Sequence, residues 1–318
     1  MEDGMNAPQQ VPDPSPVSST RRQFLRGAGL AGAGVALTAC APSFTPRQDK
    51  PNLDADILNF ALNLEYLEAA FYLAATGRLT ELQGIGGDAP IQFPEGVTGT
   101  APMAFQSDVI RDFANELASN ELAHVRFLIA TVKALGGLPI PRPALSIGPA
   151  FMAAVAAASG GKVTDFNPYR DDISFLLASH TLEDVGVTAY KGASPLIRDR
   201  KPGGVLEQAA GILAVEGYHM GSTRFQLYKR RDQEAAPGFT VAAMSRAISD
   251  LRDQLDGPGD KDQGITDSPR PGESNIVPAD ANGVAFSRTP REVLNIVYQK
   301  AEAAAGGFFP SGVNGKIR

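Results

Sequence analysis

Two Glu-x-x-His motifs stand nearly a hundred residues apart in this chain. Glu121 and His124 form the first motif, and Glu216 and His219 form the second. Residues i and i+3 share one face of a helix, so the carboxylate and the imidazole of each motif can bind one metal ion together. The chain has only three histidines, and two of them carry a glutamate three residues before. An accidental pairing is therefore a weak explanation.

Two further helical patterns each place a carboxylate on an apolar stripe, at Glu65 and at Glu183. Four carboxylates can neutralise a pair of divalent cations and bridge them, while two imidazoles give each ion one nitrogen ligand. Oxygen and imidazole ligands without thiols suit iron or manganese better than an iron–sulfur cluster. Inward glutamates combined with paired Glu-x-x-His motifs are typical of dinuclear sites in four-helix bundles. The sequence therefore predicts two iron or manganese ions.

Four more residues are each open to more than one interpretation. Glu68 lies one turn after Glu65 and is either an additional ligand, a partner of a ligand, or a residue at the edge of the stripe. His180 is either a core histidine with a satisfied nitrogen, or an extra ligand or proton relay. Tyr72 and Tyr190 fall on the stripes of the first and third helices. They either relay a proton or an electron, or pack as ordinary aromatic residues.

Helical periodicity predicts the elements that position these residues. The four long helices are expected at about 54–76, 108–135, 173–191 and 205–229. The loop at 79–106 is far longer than the 2–8 residues that join helices in bundles. It is expected to cover the metal site as a lid or to pack along the side of the bundle. Residues 138–170 then provide a long crossover, with a short helix predicted at 150–159.

The chain changes character after residue 235. A fifth helix is predicted at 239–255, and residues 257–283 are rich in glycine, proline and aspartate and should be irregular. Thr289 and Glu292 form a capping box with proline between them, which predicts a sixth helix to about residue 305. The overall prediction is an all-α fold, with a four-helix bundle at 54–235 and a helical extension at 236–318 packed on it.

Residues 1–40 resemble an export signal rather than part of the fold. Arg21 and Arg22 precede a short, glycine-rich apolar run, as in twin-arginine signals. The only cysteine, Cys40, ends a run of small residues that resembles a bacterial lipobox; alternatively, the run is a signal peptidase site and Cys40 is incidental. The lipobox interpretation predicts a lipid anchor on the periplasmic or cell-surface side, followed by a tether at 41–53.

Composition narrows the class of protein. The chain has 318 residues, 43% of them hydrophobic, which is typical of a globular protein with a real core. The net charge is −6, and the part after the signal contains no basic block, which argues against a nucleic-acid partner.

Several of these features together resemble a known family, the bacterial ferritin-like domain proteins related to plant desiccation-related proteins. The resemblance covers roughly residues 54–317 and rests on the run LNLEYLEAAFY at 62–72, the two Glu-x-x-His pairs and the Gly-Gly-Phe-Phe-Pro run at 306–310. It implies a ferritin-like four-helix bundle with a dinuclear iron or manganese centre. By motif position the implied ligands are Glu65, Glu121, His124, Glu183, Glu216 and His219. The long first loop, the export signal and the C-terminal extension differ from ferritin and argue against cage assembly and iron storage.

Two classes of function follow. In the first, the protein is an enzyme in which the two ions react with peroxide or oxygen in stress protection. In the second, it is a stress- or desiccation-related binding or structural protein whose metal site is structural or degenerate. An open coordination position with a channel favours the enzyme, and a closed site favours the second class. Either form is compatible with a homo-oligomer.

Overall fold

The computed structural model describes residues 52–318 except Pro269 and Pro271. The predicted signal, its lipobox at Cys40 and nearly all of the predicted tether lie outside the described residues. Among the helices of the described residues, none combines the length and the apolar character needed to cross a bilayer.

Four long helices form the bundle, and a short helix interrupts the crossover between the two pairs. The helices are α1 (Asp54–Ala75), α2 (Asp108–Ala134), α3 (Pro149–Ala158), α4 (Asp172–Ala193) and α5 (Val205–Lys229). Helix α1 packs against α2, α4 packs against α5, and α1 also contacts α4. Asp171 caps α4 as its side chain accepts a hydrogen bond from the Ser174 amide at 2.7 Å. The predicted helical architecture with a four-helix bundle is confirmed.

Helices α1 and α4 are interior helices, whereas α2 and α5 each bury one face. Almost every residue of α1 is buried, including Leu62 and Tyr66, which lie off the predicted stripe. The prediction of a single inward stripe on α1 was therefore too narrow. The other faces of α1 are covered by the long loop, where Gly86 contacts Tyr66, and by the C-terminal segment, where Asn63 and Asn314 exchange hydrogen bonds.

The connections contain four short strands that the sequence did not predict. Strands β1 (Ile91–Gln92) and β2 (Leu145–Ser146) pair in parallel and join the long loop to the crossover. Strands β3 (Glu234–Ala236) and β4 (Phe239–Thr240) pair antiparallel after α5. Residues 239–240 thus belong to a strand, and the predicted fifth helix begins later, at residue 241. The Thr240 side chain caps it by accepting a hydrogen bond from the Ala243 amide.

The extension contains α6 (Val241–Asp256) and α7 (Pro290–Val297). The capping box predicted for α7 is present. The prediction that this helix reaches residue 305 was wrong, because Gln299 adopts a φ of 57° and ends it. The turn brings Phe308 and Phe309 back onto the bundle, where both are buried. Burial of the two phenylalanines stabilises the turn, which also keeps backbone hydrogen bonds such as that from the Phe308 amide to the Val297 carbonyl.

A buried ionic network fastens the extension to the bundle. It contains three arginines and three aspartates, all at most 6% exposed: Arg224, Arg252, Arg288, Asp184, Asp256 and Asp262. Arg252 of α6 bonds both Asp184 of α4 and Asp262. Arg288, which precedes α7, bonds Asp256 and Asp262. The charges balance within the network, as buried ions require.

Replacing Arg252 by Met is expected to destabilise the protein by about 3–5 kcal/mol, because Asp184 and Asp262 are left buried with fewer counter-charges. The matched control is Arg246→Met on the same helix, where the side chain is 60% exposed and pairs with Asp267. This control should cost less than about 1 kcal/mol. Urea unfolding of both variants measures the difference, and equal midpoints would contradict the role given to the network.

Candidate metal centre

Each of the four long helices directs one carboxylate into the centre of the bundle. Helices α2 and α5 add a histidine one turn later. The six side chains are Glu65 of α1, Glu121 and His124 of α2, Glu183 of α4, and Glu216 and His219 of α5. All four carboxylates are fully buried, and the histidines are 8% and 3% exposed. The i, i+3 spacing therefore does place both members of each motif on the same inner face.

The six residues form two overlapping groups that could each hold a metal ion. Glu65 and His124 belong to the first group, and Glu183 and His219 belong to the second. Glu121 and Glu216 are shared, and the ligand atoms within each group lie within 4.8 Å of one another. Two shared carboxylates are positioned so that they could bridge two neighbouring ions. The structure brings the whole predicted set together, while the role of each residue as a ligand stays a prediction.

The histidine rings direct Nδ1 into the cluster. His124 Nδ1 lies 3.2 Å from both Glu65 Oε2 and Glu121 Oε2. His219 Nδ1 lies 2.9 Å from Glu121 Oε1, yet neither of these two atoms has a partner in hydrogen-bonding geometry. Two polar atoms that lie this close without forming a hydrogen bond are expected when both are directed at a third atom. A metal ion between them would satisfy both.

Unpaired acceptors provide a test of whether ions fit this site. Both side-chain oxygens of Glu216, Oε1 of Glu121 and Oε2 of Glu183 are buried without a hydrogen-bond donor among the described residues. Carboxylates removed from water without donors are costly. Two divalent cations would compensate four carboxylates, and the oxygen and imidazole donors suit iron or manganese. The residues present therefore fit the predicted pair of ions.

Burial dominates the electrostatics of the cluster. It raises the pKa of Glu65 to about 7, with His124 opposing this rise, and together with the neighbouring carboxylates it raises the pKa of Glu216 well above its usual value. Burial would also raise the pKa of Glu121, but the charges of the two histidines and the hydrogen bond with His124 hold it below its usual range. Burial alone would lower the histidine pKa values, yet adjacent carboxylates raise them to about 11 for His124 and about 10 for His219. Without cations, the cluster therefore holds protons in their place.

Both candidate tyrosines bond the cluster, and each bonds the carboxylate of the other helix pair. Tyr72 of α1 donates to Glu183 of α4, and Tyr190 of α4 donates to Glu65 of α1. Burial and the adjacent carboxylate raise the pKa of each hydroxyl well above its usual value, so both stay protonated donors. The hydroxyls therefore do more than pack within an aromatic layer, since they orient two cluster carboxylates.

The two additional candidates have different positions. Glu68 is buried beside the cluster but outside both groups of ligand atoms, and burial followed by the charge of Glu121 raises its pKa. His180 belongs to the ionic network instead, with Nδ1 3.3 Å from Asp184 and Nε2 3.3 Å from Ser245 Oγ. Burial lowers its pKa, so it is neutral. The interpretation of His180 as an additional ligand is therefore corrected to that of a core histidine.

Sequence reasoning missed two residues of the site. Gly186 of α4 lies against the cluster, and a Cβ there would overlap Glu216 Oε2. A glycine inside a helix lowers the stability of that helix by about 1 kcal/mol relative to alanine. Its presence in the middle of α4 could therefore have indicated a close contact. Asn120 places its side-chain amide 3.1 Å from His219 Nε2, which fixes the ring so that Nδ1 faces the cluster. The sequence carried no signal for Asn120.

Gly186→Ala is expected to displace the Glu216 carboxylate from its shared position and to lower bound metal by at least one of the two predicted ions per chain. The matched control is Gly217→Ala, which adds a methyl group beside Glu216 where nothing lies within 4 Å. Metal analysis by mass spectrometry after purification gives the comparison. Equal metal content in the two variants would show that Gly186 does not shape the site.

Comparison with known proteins agrees with this geometry. The profile of the ferritin-like domain matches residues 53–229, which contain all six cluster residues. The chain is similar to the protein named ferritin-like catalase Nec2 of Nesocodon mauritianus, with 33% identity over 294 residues, covering 88% of this chain and 89% of that protein. It is also similar to desiccation-related protein PCC13-62 of Craterostigma plantagineum, with 34% identity over 284 residues, covering 85% and 86%. The chain therefore belongs to the ferritin-like domain family.

Proposed function

We propose that the cluster binds two iron or manganese ions and that the protein decomposes hydrogen peroxide. The observation that carries the proposal is the pair of overlapping ligand groups that share Glu121 and Glu216. Such sharing would place two ions close enough to exchange two electrons with one substrate. The relative named as a ferritin-like catalase supports the choice of peroxide over other oxidants.

When bound, the ion pair supplies a two-electron store, so that one peroxide is oxidised to dioxygen and a second is reduced to two waters. The oxidised peroxide loses two protons, and the reduced peroxide needs two. Glu68 is suited to hold one of them, since burial and the cluster carboxylates raise its pKa. The hydroxyls of Tyr72 and Tyr190 keep Glu183 and Glu65 oriented through the cycle.

The test is to load the purified protein with iron or with manganese and to follow peroxide loss and oxygen together. Decomposition predicts one dioxygen for every two peroxides, whereas oxidation of added ferrous iron consumes oxygen instead. Glu121→Ala is the control, because it removes a shared carboxylate. If neither metal form acts faster than this control, the site is not a peroxide-decomposing centre.

A second candidate function is favoured by how closed the site is. All four carboxylates are fully buried, and only the His124 side chain reaches 11% exposure. In this alternative the ions stabilise the bundle of a stress-related binding protein, as the similarity to a desiccation-related protein suggests. The same loading experiment separates the two, because structural ions raise the melting temperature without peroxide turnover.

We also propose that the chain is exported by the twin-arginine route and anchored through Cys40, because Arg21 and Arg22 precede a short apolar run that ends near the cysteine. Replacing both arginines by lysine is expected to leave precursor in the cytoplasm, and Cys40→Ala is expected to abolish lipid attachment. Fractionation and radiolabelled-lipid incorporation measure the two effects. Normal export of the double-lysine variant would mean that the chain uses another route.

A further inference from the structure

The long loop between α1 and α2 forms a cavity that has no role in the metal centre. The cavity has a volume of about 190 Å³ and is lined by both polar and apolar side chains. Threonines 80, 98 and 100 supply hydroxyl groups, while Leu79, Leu82 and Ile91 supply apolar surface. The space holds several water molecules or one small organic molecule.

One wall of the cavity carries a charged side chain in unusual surroundings. Arg142, from the crossover, lines the cavity and is only 8% exposed. Its amide donates to the Gly86 carbonyl at 2.6 Å, and its Nη2 donates to the Gly87 carbonyl at 3.2 Å. Its Nε and Nη1 have no acceptor among the described residues. The loop therefore holds a guanidinium in place without satisfying it.

A second buried donor near Arg142 also lacks a hydrogen-bond acceptor. The Tyr66 hydroxyl is buried against Gly86 and also has no hydrogen-bond partner among the described residues. Burial lowers the pKa of Arg142, with Tyr66 and the exposed Asp88 opposing that effect. A buried cation is costly when no carboxylate pairs with it directly, and Arg142 forms no ion pair with Asp88. The arrangement therefore points to an anion that completes it.

The shape and charge of the cavity narrow the class of anion. The planar guanidinium of arginine matches a carboxylate or phosphate group. Asp88 adds a negative charge to the cavity wall. A single arginine beside it therefore suits a singly charged anion better than a doubly charged phosphate. The leucine and isoleucine surface favours an ion that carries a carbon skeleton. We propose that this cavity binds a small organic carboxylate through the Arg142 guanidinium.

Calorimetric titration of the full chain with L-lactate tests the proposal, with lactamide as a neutral ligand of the same shape. Lactate is expected to bind saturably, and lactamide at least about tenfold more weakly, because it lacks the charge that Arg142 recognises. Arg142→Gln should weaken lactate binding by at least about tenfold. Lactate binding should persist in Glu121→Gln, which distinguishes the cavity from the metal centre.

A second variant covers the case in which Arg142→Gln fails to fold. Thr100→Trp changes an exposed residue of the cavity wall and fills the space without removing the arginine. It should abolish lactate binding while the circular dichroism spectrum stays unchanged. Lactate binding that survives Thr100→Trp, equal binding of lactamide, or binding of inorganic phosphate as tight as that of lactate would each overturn the proposal, as would the absence of any lactate binding to the wild-type chain.

Discussion

Glu216→Gln is expected to reduce bound metal to less than one ion per chain and to lower peroxide turnover by about a thousandfold or more. Glu216 belongs to both groups of ligand atoms, and both of its oxygens lack a hydrogen-bond donor among the described residues. A neutral amide can neither bridge two cations nor balance their charge. Metal analysis and peroxide assays measure the two losses, and Gly217→Ala is the control on the adjacent residue.

The same variant should leave the metal-free protein nearly as stable as the wild type. Burial and neighbouring carboxylates raise the pKa of Glu216 well above its usual value, so glutamine mimics the neutral acid that the metal-free protein already contains. Glu121→Gln should differ, because Glu121 is the ionised partner of His124 and His219. It is expected to destabilise the metal-free protein by about 1–3 kcal/mol. Full metal content in Glu216→Gln would refute the assignment of a shared carboxylate.

Metal affinity is expected to rise steeply with pH. In the metal-free cluster His124 and His219 have pKa values of about 11 and 10, so both imidazoles are protonated at neutral pH. Ions bind the neutral imidazole, so loading both positions must release at least these two protons. The combined affinity for two ions should therefore increase by at least about a hundredfold for each pH unit between 7 and 9.

Below neutral pH the dependence should become steeper still. Glu65 has a pKa of about 7, so it adds a further proton that the ions must displace as the pH falls through 7. Titration calorimetry in buffers of different ionisation enthalpy counts the released protons directly. Release of fewer than one proton at pH 7.5 would contradict the charge distribution described for the cluster.

The sequence by itself determined the parts of this protein that depend on local spacing. Glu121 and His124, like Glu216 and His219, share a helix face whatever the helix packs against, because the i, i+3 relation is a property of one helix. The capping box at Thr289 was equally readable, since its hydrogen bonds span only three residues. These local features sufficed to predict four long helices and the six residues that the structure brings together.

Only the tertiary structure decided the features that depend on which elements meet. Tyr72 lies on the stripe of Glu65, yet it bonds Glu183, because α1 and α4 face each other across the bundle. Position 186 must be glycine because a Cβ there would overlap Glu216 Oε2 of α5. Helix α7 ends early because Phe308 turns back and packs against Phe151 of α3. His180 is neutral because burial, reinforced by Arg252 and Arg224 from other helices, outweighs the opposing charge of Asp184. Such contacts join residues far apart in the chain, and spacing along one helix carries no information about them.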